Sequence, residues 1–301
     1  MILLFKFLSW FIRSLPHRAS VGLGRWVGWM YGSVVRYHRK DAVRELARCF
    51  PESTPEERKR WLKRMYRNLG LNVVESFRST EWSEDYAKKH IRIEGLEHIE
   101  KTVAEGHGTI FLSGHIGNWE LMAFICPHLP TQAHIVVKDL KPPELNDLVV
   151  STREKIGVRV ISRKNSLRNC LKVLRNNEIL AFMMDQNVIR REGHFVDFFG
   201  KEACTTPGVA QLSAKTKSPI IPVIMWRESD TDHCIRVFPP IAPTSGNDEE
   251  AIVAKMAECN AFLEGIIRED PSQWTWVHRR WKTRPIAELK AAGIPIRPGG
   301  E

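Results

Sequence analysis

Residues 109–121, TIFLSGHIGNWEL, decide the reading of the whole chain. Thr109 to Leu112 is a β-branched and aromatic run, Ser113-Gly114 is a turn, and His115 stands at the mouth of a helix opened by Asn118, Trp119 and Glu120. Inside one α-helix, five steps would point His115 and Glu120 roughly 140° apart. The two can share a task only if His115 is the last loop residue and Glu120 lies in the first helical turn, and the strand-turn-helix pattern supplies that context. A carboxylate folded back on the imidazole would fix its tautomer and stabilise imidazolium while the other nitrogen takes a proton from a hydroxyl, a role worth roughly 10²- to 10⁴-fold in rate. His115 and Glu120 are therefore the expected general-base dyad.

Outward from this stretch, helices and short apolar strands alternate. Helices are expected over 96–105, 119–129, 143–156, 166–176 and 207–216, and strands over 109–113, 134–137, 158–161, 180–184, 220–226 and 234–238. Such an order indicates an α/β fold, a central, mostly parallel mixed sheet flanked by helices. Ligands of these sheets gather at the carboxyl ends of strands, where His115 sits. Pro222 implies that its strand lies at an edge or begins after the proline. Residues 190–201, RREGHFVDFFGK, are expected to rim the substrate, with core packing of Phe195, Phe198 and Phe199 as the alternative. A long helix is expected from Asn247-Asp248 to about residue 268.

The N-terminus is apolar but interrupted. Residues 1–12, MILLFKFLSWFI, are broken by Arg13 and Arg18 well short of the roughly 20 residues of a membrane span. Residues 21–35 add Trp26, Trp29 and Tyr31, with Arg36, Arg39 and Lys40 following. Apolar, aromatic and positively flanked segments suit an interfacial anchor, and core helices are the competing reading. Thr54-Pro55-Glu56-Glu57 opens a helix with a capping box; six basic residues between Arg58 and Arg67 crowd its first half, a face for a membrane or a carrier protein. The chain is thus divided into a membrane-associating helical segment at 1–40, a basic helical region at 41–90 and a catalytic α/β domain at 91–301.

A net charge of +10 over 301 residues favours an acidic partner. The basic residues accompany Trp-rich apolar stretches rather than a recognition module, which argues against nucleic acid. Six scattered cysteines without a C-x-x-C suggest neither zinc nor a disulfide framework, and reduced, cytosol-facing thiols are expected. No metal site is expected.

GHIGNWE (114–120) together with WTWVHRRWKTRP (274–285) resembles the late acyltransferases of lipid A biosynthesis, the lauroyl/myristoyl transferase family of Gram-negative bacteria, and the likeness runs over nearly the whole chain. The resemblance implies an enzyme at the cytoplasmic face of the bacterial inner membrane. Such an enzyme moves a fatty acyl group from acyl carrier protein to a hydroxyl of a glycolipid acceptor, a lipid A precursor, with no cofactor beyond the acyl thioester. It also brings Arg153 and Asp185 into the site. Arg153 would clamp a phosphate or the phosphopantetheine arm, and Asp185 would hold Arg153 or a sugar hydroxyl. Asn118 and Trp119 are expected to contact substrate beside the dyad, Arg279, Arg280, Lys282 and Arg284 to meet acceptor phosphates, and His278 to be structural. No activated Ser or Cys is evident, so direct transfer is expected. The alternatives are a phospholipid, ornithine-lipid or mannolipid acyltransferase, and a non-catalytic lipid-binding membrane protein.

Overall fold

The computed structural model describes residues 2–78, 84–164 and 166–293. The deciding stretch folds as strand β2, Thr109–Ser113, with all five residues buried. Burial on both faces follows from its place in the sheet. Among the described residues, β1 (Ile91–Glu94), β2, β3 (Ala133–Val137), β4 (Val158–Ser162), β5 (Ile179–Met183), β8 (Ile220–Arg227) and β9 (His233–Val237) form one seven-stranded sheet in the order β1-β9-β8-β2-β5-β3-β4. Every neighbouring pair is parallel except β8 with β9. The protein is thus an α/β fold on a mostly parallel sheet.

Alternation along β2 sends its side chains into two cores. Ile110 and Leu112 join the cluster that holds Leu46, Met65 and Trp274, whereas Phe111 joins Leu121, Phe124 and Ile125 on the other face. The first face is covered by α3 (Arg39–Cys49), α4 (Pro55–Arg78), α8 (Ser166–Arg175), α9 (Gly208–Thr216) and α10 (Glu249–Glu269), the second by α6 (Leu96–Ala104) and the segment after His115. That segment, 119–128, is a 3₁₀ helix rather than the expected α-helix, with Pro127 inside it and unable to donate to a helical ladder.

Pro222 corrects the edge-strand expectation. Strand β8 is interior, but it pairs with β2 only through Ile220 to Pro222 and with β9 from Val223 onward. The proline falls where one ladder hands over to the other, so its missing N–H is tolerated. Residues 190–201 are also corrected: a short 3₁₀ turn (Arg190–Glu192) leads into an antiparallel hairpin of β6 (His194–Phe198) and β7 (Lys201–Thr205). Phe198 and Phe199 are core residues against Trp274, Trp276 and Trp281, not a rim.

The capping box forms as expected: Thr54 N–H donates to Glu57 Oε2 at 2.8 Å and Glu57 N–H to Thr54 Oγ1 at 3.2 Å. Helix α1 (Ile2–Ser14) and helix α2 (His17–Trp29), which runs on as a π-helical turn through Met30–Val35, lie against α4. Glycine makes that crossing close: a Cβ on Gly70 would fall 2.3 Å from the Gly28 nitrogen, and one on Gly28 the same distance from the Tyr66 carbonyl oxygen. Phe7, Trp10 and Trp29 remain more than half exposed, at 57%, 59% and 55%. No helix among the described residues is long and apolar enough to cross a membrane.

Candidate active site

His115 follows the carboxyl end of β2, and the adjacent β5 ends two residues before Asp185. Parallel register sets Ser113 opposite Met183, so the two strand ends deliver a histidine and an aspartate to the same place. His115 Nδ1–H donates to Asp185 Oδ1 at 2.8 Å, and His115 backbone N–H donates to Oδ2 at 2.8 Å. The indole N–H of Trp274 also donates to Oδ2, at 2.7 Å. With Nδ1 committed as donor, Nε2 is the acceptor, and Gln186 Nε2 approaches it at 2.9 Å.

Burial alone would push the Asp185 carboxyl up, but the His115 charge and these three hydrogen bonds outweigh it and hold the group ionised well below the usual carboxylate range. Burial likewise works to lower the His115 pKa, yet the Asp185 carboxylate, with help from Glu120, raises it above the ordinary imidazole value. Asp185 is 1% exposed, so it offers no oxygen to a sugar hydroxyl, and it does not meet Arg153.

The expected partnership of His115 with Glu120 is therefore corrected: the carboxylate bonded to the ring belongs to Asp185. Both Glu120 oxygens accept from Arg153, at 3.0 and 2.8 Å, and this pair stands at the rim of the site. The reason is geometric. Residues 119–128 coil as a 3₁₀ helix, and α7 (Pro143–Lys155) brings Arg153 to the carboxylate. Trp119 meets the His115 ring edge-on at 4.8 Å between centroids, as a neighbour of the expected kind. Asn118 does not face substrate; it is fully buried and its amide donates to Glu75 Oε2 at 2.7 Å.

The two sequence signatures meet in space. Residues Ile116 and Trp274 form an antiparallel bridge, Thr275 donates to the His115 carbonyl from both its N–H (3.2 Å) and its hydroxyl (3.0 Å), and Gly117 N–H donates to Gln273 O at 3.0 Å. Gly117, at φ +59°, lies so close to β8 that a Cβ would fall 2.3 Å from the Met225 carbonyl oxygen. The C-terminal Trp-rich segment thus clamps the histidine loop. Arg280 is a second correction: it is 1% exposed, donates to the Cys204 carbonyl at 2.7 Å and to Thr205 Oγ1 at 2.5 Å, and lies over the Phe198 ring. It ties the Trp segment to the β6-β7 hairpin and is unavailable to an acceptor phosphate. Arg279 is exposed and pairs loosely with Asp41 at 3.6 Å.

His278, expected to be structural, stands at the reacting end. Its ring is 4.7 Å from that of His115, and Gln186 Nε2 lies 3.3 Å from its Nε2. Burial and the neighbouring His115 charge lower its pKa to about 4, so it stays neutral. Gln186 and Trp274 also reach the site with no role expected from the sequence; Gln186 directly follows Asp185, the one local signal pointing to it.

His115, Glu120, Arg153 and Gln186 line a cavity of about 650 Å³ whose walls are mostly apolar, among them Phe111, Ile125, Val149, Val150, Leu167 and Phe182. Its size is that of a site for one medium-sized ligand. Among the described residues no group of three or more His, Cys, Asp or Glu is placed to hold a metal ion. The arrangement can accept a proton at His115 Nε2 beside an apolar chamber.

A family model described as bacterial lipid A biosynthesis acyltransferase matches residues 1–283. Lipid A biosynthesis palmitoleoyltransferase of Escherichia coli (strain K12) is 28% identical over 287 residues, covering 93% of this chain and 90% of that protein. A lipid A biosynthesis acyltransferase of Haemophilus influenzae is 30% identical over 280 residues, covering 91% and 88%. Among solved structures, the 1-acyl-sn-glycerophosphate (LPA) acyltransferase PlsC of Thermotoga maritima aligns at a TM-score of 0.40 and 15% identity over 84% of this chain and 99% of that one. On the family match over nearly its full length and these relatives, the chain belongs to the bacterial lipid A biosynthesis acyltransferase family.

Proposed function

We propose that this protein is a membrane-associated O-acyltransferase that moves a fatty acyl chain from an acyl carrier protein thioester to a hydroxyl of a lipid A precursor. The observation that carries the reading is His115 Nε2, the accepting nitrogen of an aspartate-held imidazole, opening on a largely apolar cavity of about 650 Å³. The acceptor hydroxyl takes the place of Gln186 at Nε2 and gives its proton to the ring as its oxygen attacks the thioester carbonyl. The C–S bond breaks as the new C–O bond closes, and the departing thiolate recovers the proton from imidazolium. Asp185 holds the ring and stabilises the imidazolium, the part played by the orienting acid in other base-activated sites. The partner found at Nε2 is an amide rather than a hydroxyl or thiol, which supports direct transfer without an acyl-enzyme.

A chain of about a dozen carbons, at roughly 0.8 kcal/mol per buried CH₂, contributes about 9 kcal/mol before ordering costs. Chain burial therefore dominates donor affinity, while Glu120 and Arg153 at the rim orient the polar end of a substrate. The exposed aromatics Phe7, Trp10, Trp26 and Trp29 support an interfacial seat for the N-terminal helices at the cytoplasmic face of the inner membrane.

A mass-spectrometric transfer assay tests the reading. Purified protein meets acyl carrier proteins of several chain lengths and, as acceptors, a lipid A precursor, a lysophospholipid, a lyso-ornithine lipid and a mannolipid. Acyl gain on the lipid A precursor alone, lost in His115→Ala, is expected. Gain on another acceptor keeps the chemistry and moves the pathway, and no gain on any acceptor, with lipid binding intact, overturns the enzyme reading.

A further inference from the structure

A second cavity, of about 720 Å³, lies between α2, α4 and the turn joining β8 to β9 and shares no lining residue with the first. Its lining differs from that of the first: Arg18, Arg25, Arg64, Arg67 and Arg227 all border it, with His17 beside them. Two acids also border it. Glu228 is turned away toward Arg92, and Asp230 lies between Arg25 and Arg67. Arg64 pairs with Asp270 at 3.2 Å and Arg227 with Glu75 at 2.8 Å. After these pairings one carboxylate serves both Arg25 and Arg67, and among the described residues no acid pairs with Arg18 at the cavity wall, so the wall keeps a surplus of positive charge.

The hydrogen-bond inventory points the same way. Among the described residues, Arg67 Nε, Arg227 Nε and His17 Nε2 are buried polar nitrogens with no hydrogen-bond partner, and all three belong to residues bordering this one cavity. Arg227 is only 3% exposed. Arg67 Nε and Arg227 Nε can only donate, and buried donors left unpaired are costly; two such donors at one opening, with His17 Nε2 able to join them in its Nε2–H form, are what a compact anion with several acceptor oxygens would satisfy after small side-chain turns. We infer that this cavity binds a phosphate group, and that the arginines recognise it by charge-assisted hydrogen bonds. Trp26 and Trp29, on the same helix as Arg18 and Arg25, are about half exposed, so an anionic lipid headgroup and free phosphate are the two sources of that chemistry. The site is separate from the acyl-transfer cavity, and its test reads binding rather than turnover.

The full-length protein is titrated with inorganic phosphate by calorimetry, and separately floated with vesicles of phosphatidylcholine alone or with added phosphatidylglycerol, at fixed ionic strength. Arg67→Gln removes a wall arginine. Arg18→Gln, at an exposed position, serves where the first variant folds poorly, and Lys172→Gln and Lys215→Gln are equal-charge controls on exposed faces elsewhere. Each arginine variant is expected to lower affinity for the anionic vesicles about fivefold, as loss of about 1 kcal/mol per basic group requires, with the controls within twofold and neutral vesicles unaffected. Phosphate binding that is lost in Arg67→Gln, with vesicle binding equal in variants and controls, assigns the site to free phosphate. Absence of phosphate binding together with variant-specific loss on vesicles assigns it to a headgroup. If phosphate does not bind and the arginine variants match the lysine controls on vesicles, the inference is wrong.

Discussion

Asp185 and Glu75 hold the same loop from opposite ends, and their surroundings make them different instruments. Asp185 binds His115 at the front of the loop, while Glu75 takes the Asn118 amide at its back, together with both terminal nitrogens of Arg227 and, at 3.3 Å, His233 Nε2. Asp185 is a buried carboxylate and Glu75 a largely buried one, and each is kept ionised. For Glu75, burial alone would raise the pKa, but Arg227 and His233 bring it down to about 2. The difference lies in the partner. Arginine stays charged at any ordinary pH and His233, the other partner, is only 1% exposed, so the Glu75 cluster serves as a brace, helped by Asn72, which donates to Gly117 O at 2.7 Å and accepts from Arg227 at 2.7 Å. Histidine can change its charge, and its second nitrogen opens on a cavity, so the Asp185 pair can move a proton. A depressed carboxylate pKa by itself does not distinguish catalysis from scaffold; the neighbour's own titration and its access to a ligand do.

Substitutions on the two sides of the loop sharpen this contrast. His115→Ala should have the largest effect, lowering kcat by roughly 10²- to 10⁴-fold and, because it leaves the buried Asp185 without its ring partner, also lowering the melting temperature; transfer kinetics and thermal melts read both. Asp185→Asn should come next, with a loss on the order of 10²-fold and a change in pH profile. In the wild type, transfer should fall with acid through an apparent pKa above the ordinary histidine value, since Asp185 raises it. Without that charge the acid limb should move to lower pH; a profile that stays in place would remove Asp185 from the mechanism.

Arg153→Ala should act at the rim, raising KM or lowering kcat about tenfold through lost positioning, and unchanged kinetic constants would detach the Glu120–Arg153 pair from substrate. Glu75→Gln should have the smallest direct effect on the chemical step and a large one on the fold. The folded-state pKa of Glu75 is depressed, so the unfolded chain binds the extra proton, and the stabilisation is complete above about pH 5 and disappears as pH falls from about 4.3 toward 2. Melts of wild type against Glu75→Gln between pH 6 and pH 3 should converge toward acid, with a gap on the order of a few kcal/mol at the neutral end. A constant gap across that range would show that the brace acts by shape rather than charge.

The alternation of strands and helices, the Thr54 cap and the seat of His115 at a strand end were legible in the amino-acid sequence, because periodicity and capping act over a few residues. The sheet order could not be read that way, and the handover of β8 between two partners is what lets Pro222 sit in an interior strand. Glu120, five residues from His115, was the natural partner by proximity along the chain. Asp185, 70 residues away, became the partner because β2 and β5 are parallel neighbours in register, a fact that exists only once the sheet forms. The same holds for the C-terminal motif. Its Trp and Arg content marked it as important, but local pattern cannot say whether an arginine points outward to a phosphate or inward to carbonyl oxygens. Packing Trp274 and Trp281 against Phe198 left Arg280 inside, where only backbone and hydroxyl oxygens could satisfy it. What the sequence by itself determined was the element pattern and the histidine's place at a strand end; which carboxylate serves it, and which arginines remain free, was decided by contacts between residues far apart in the chain.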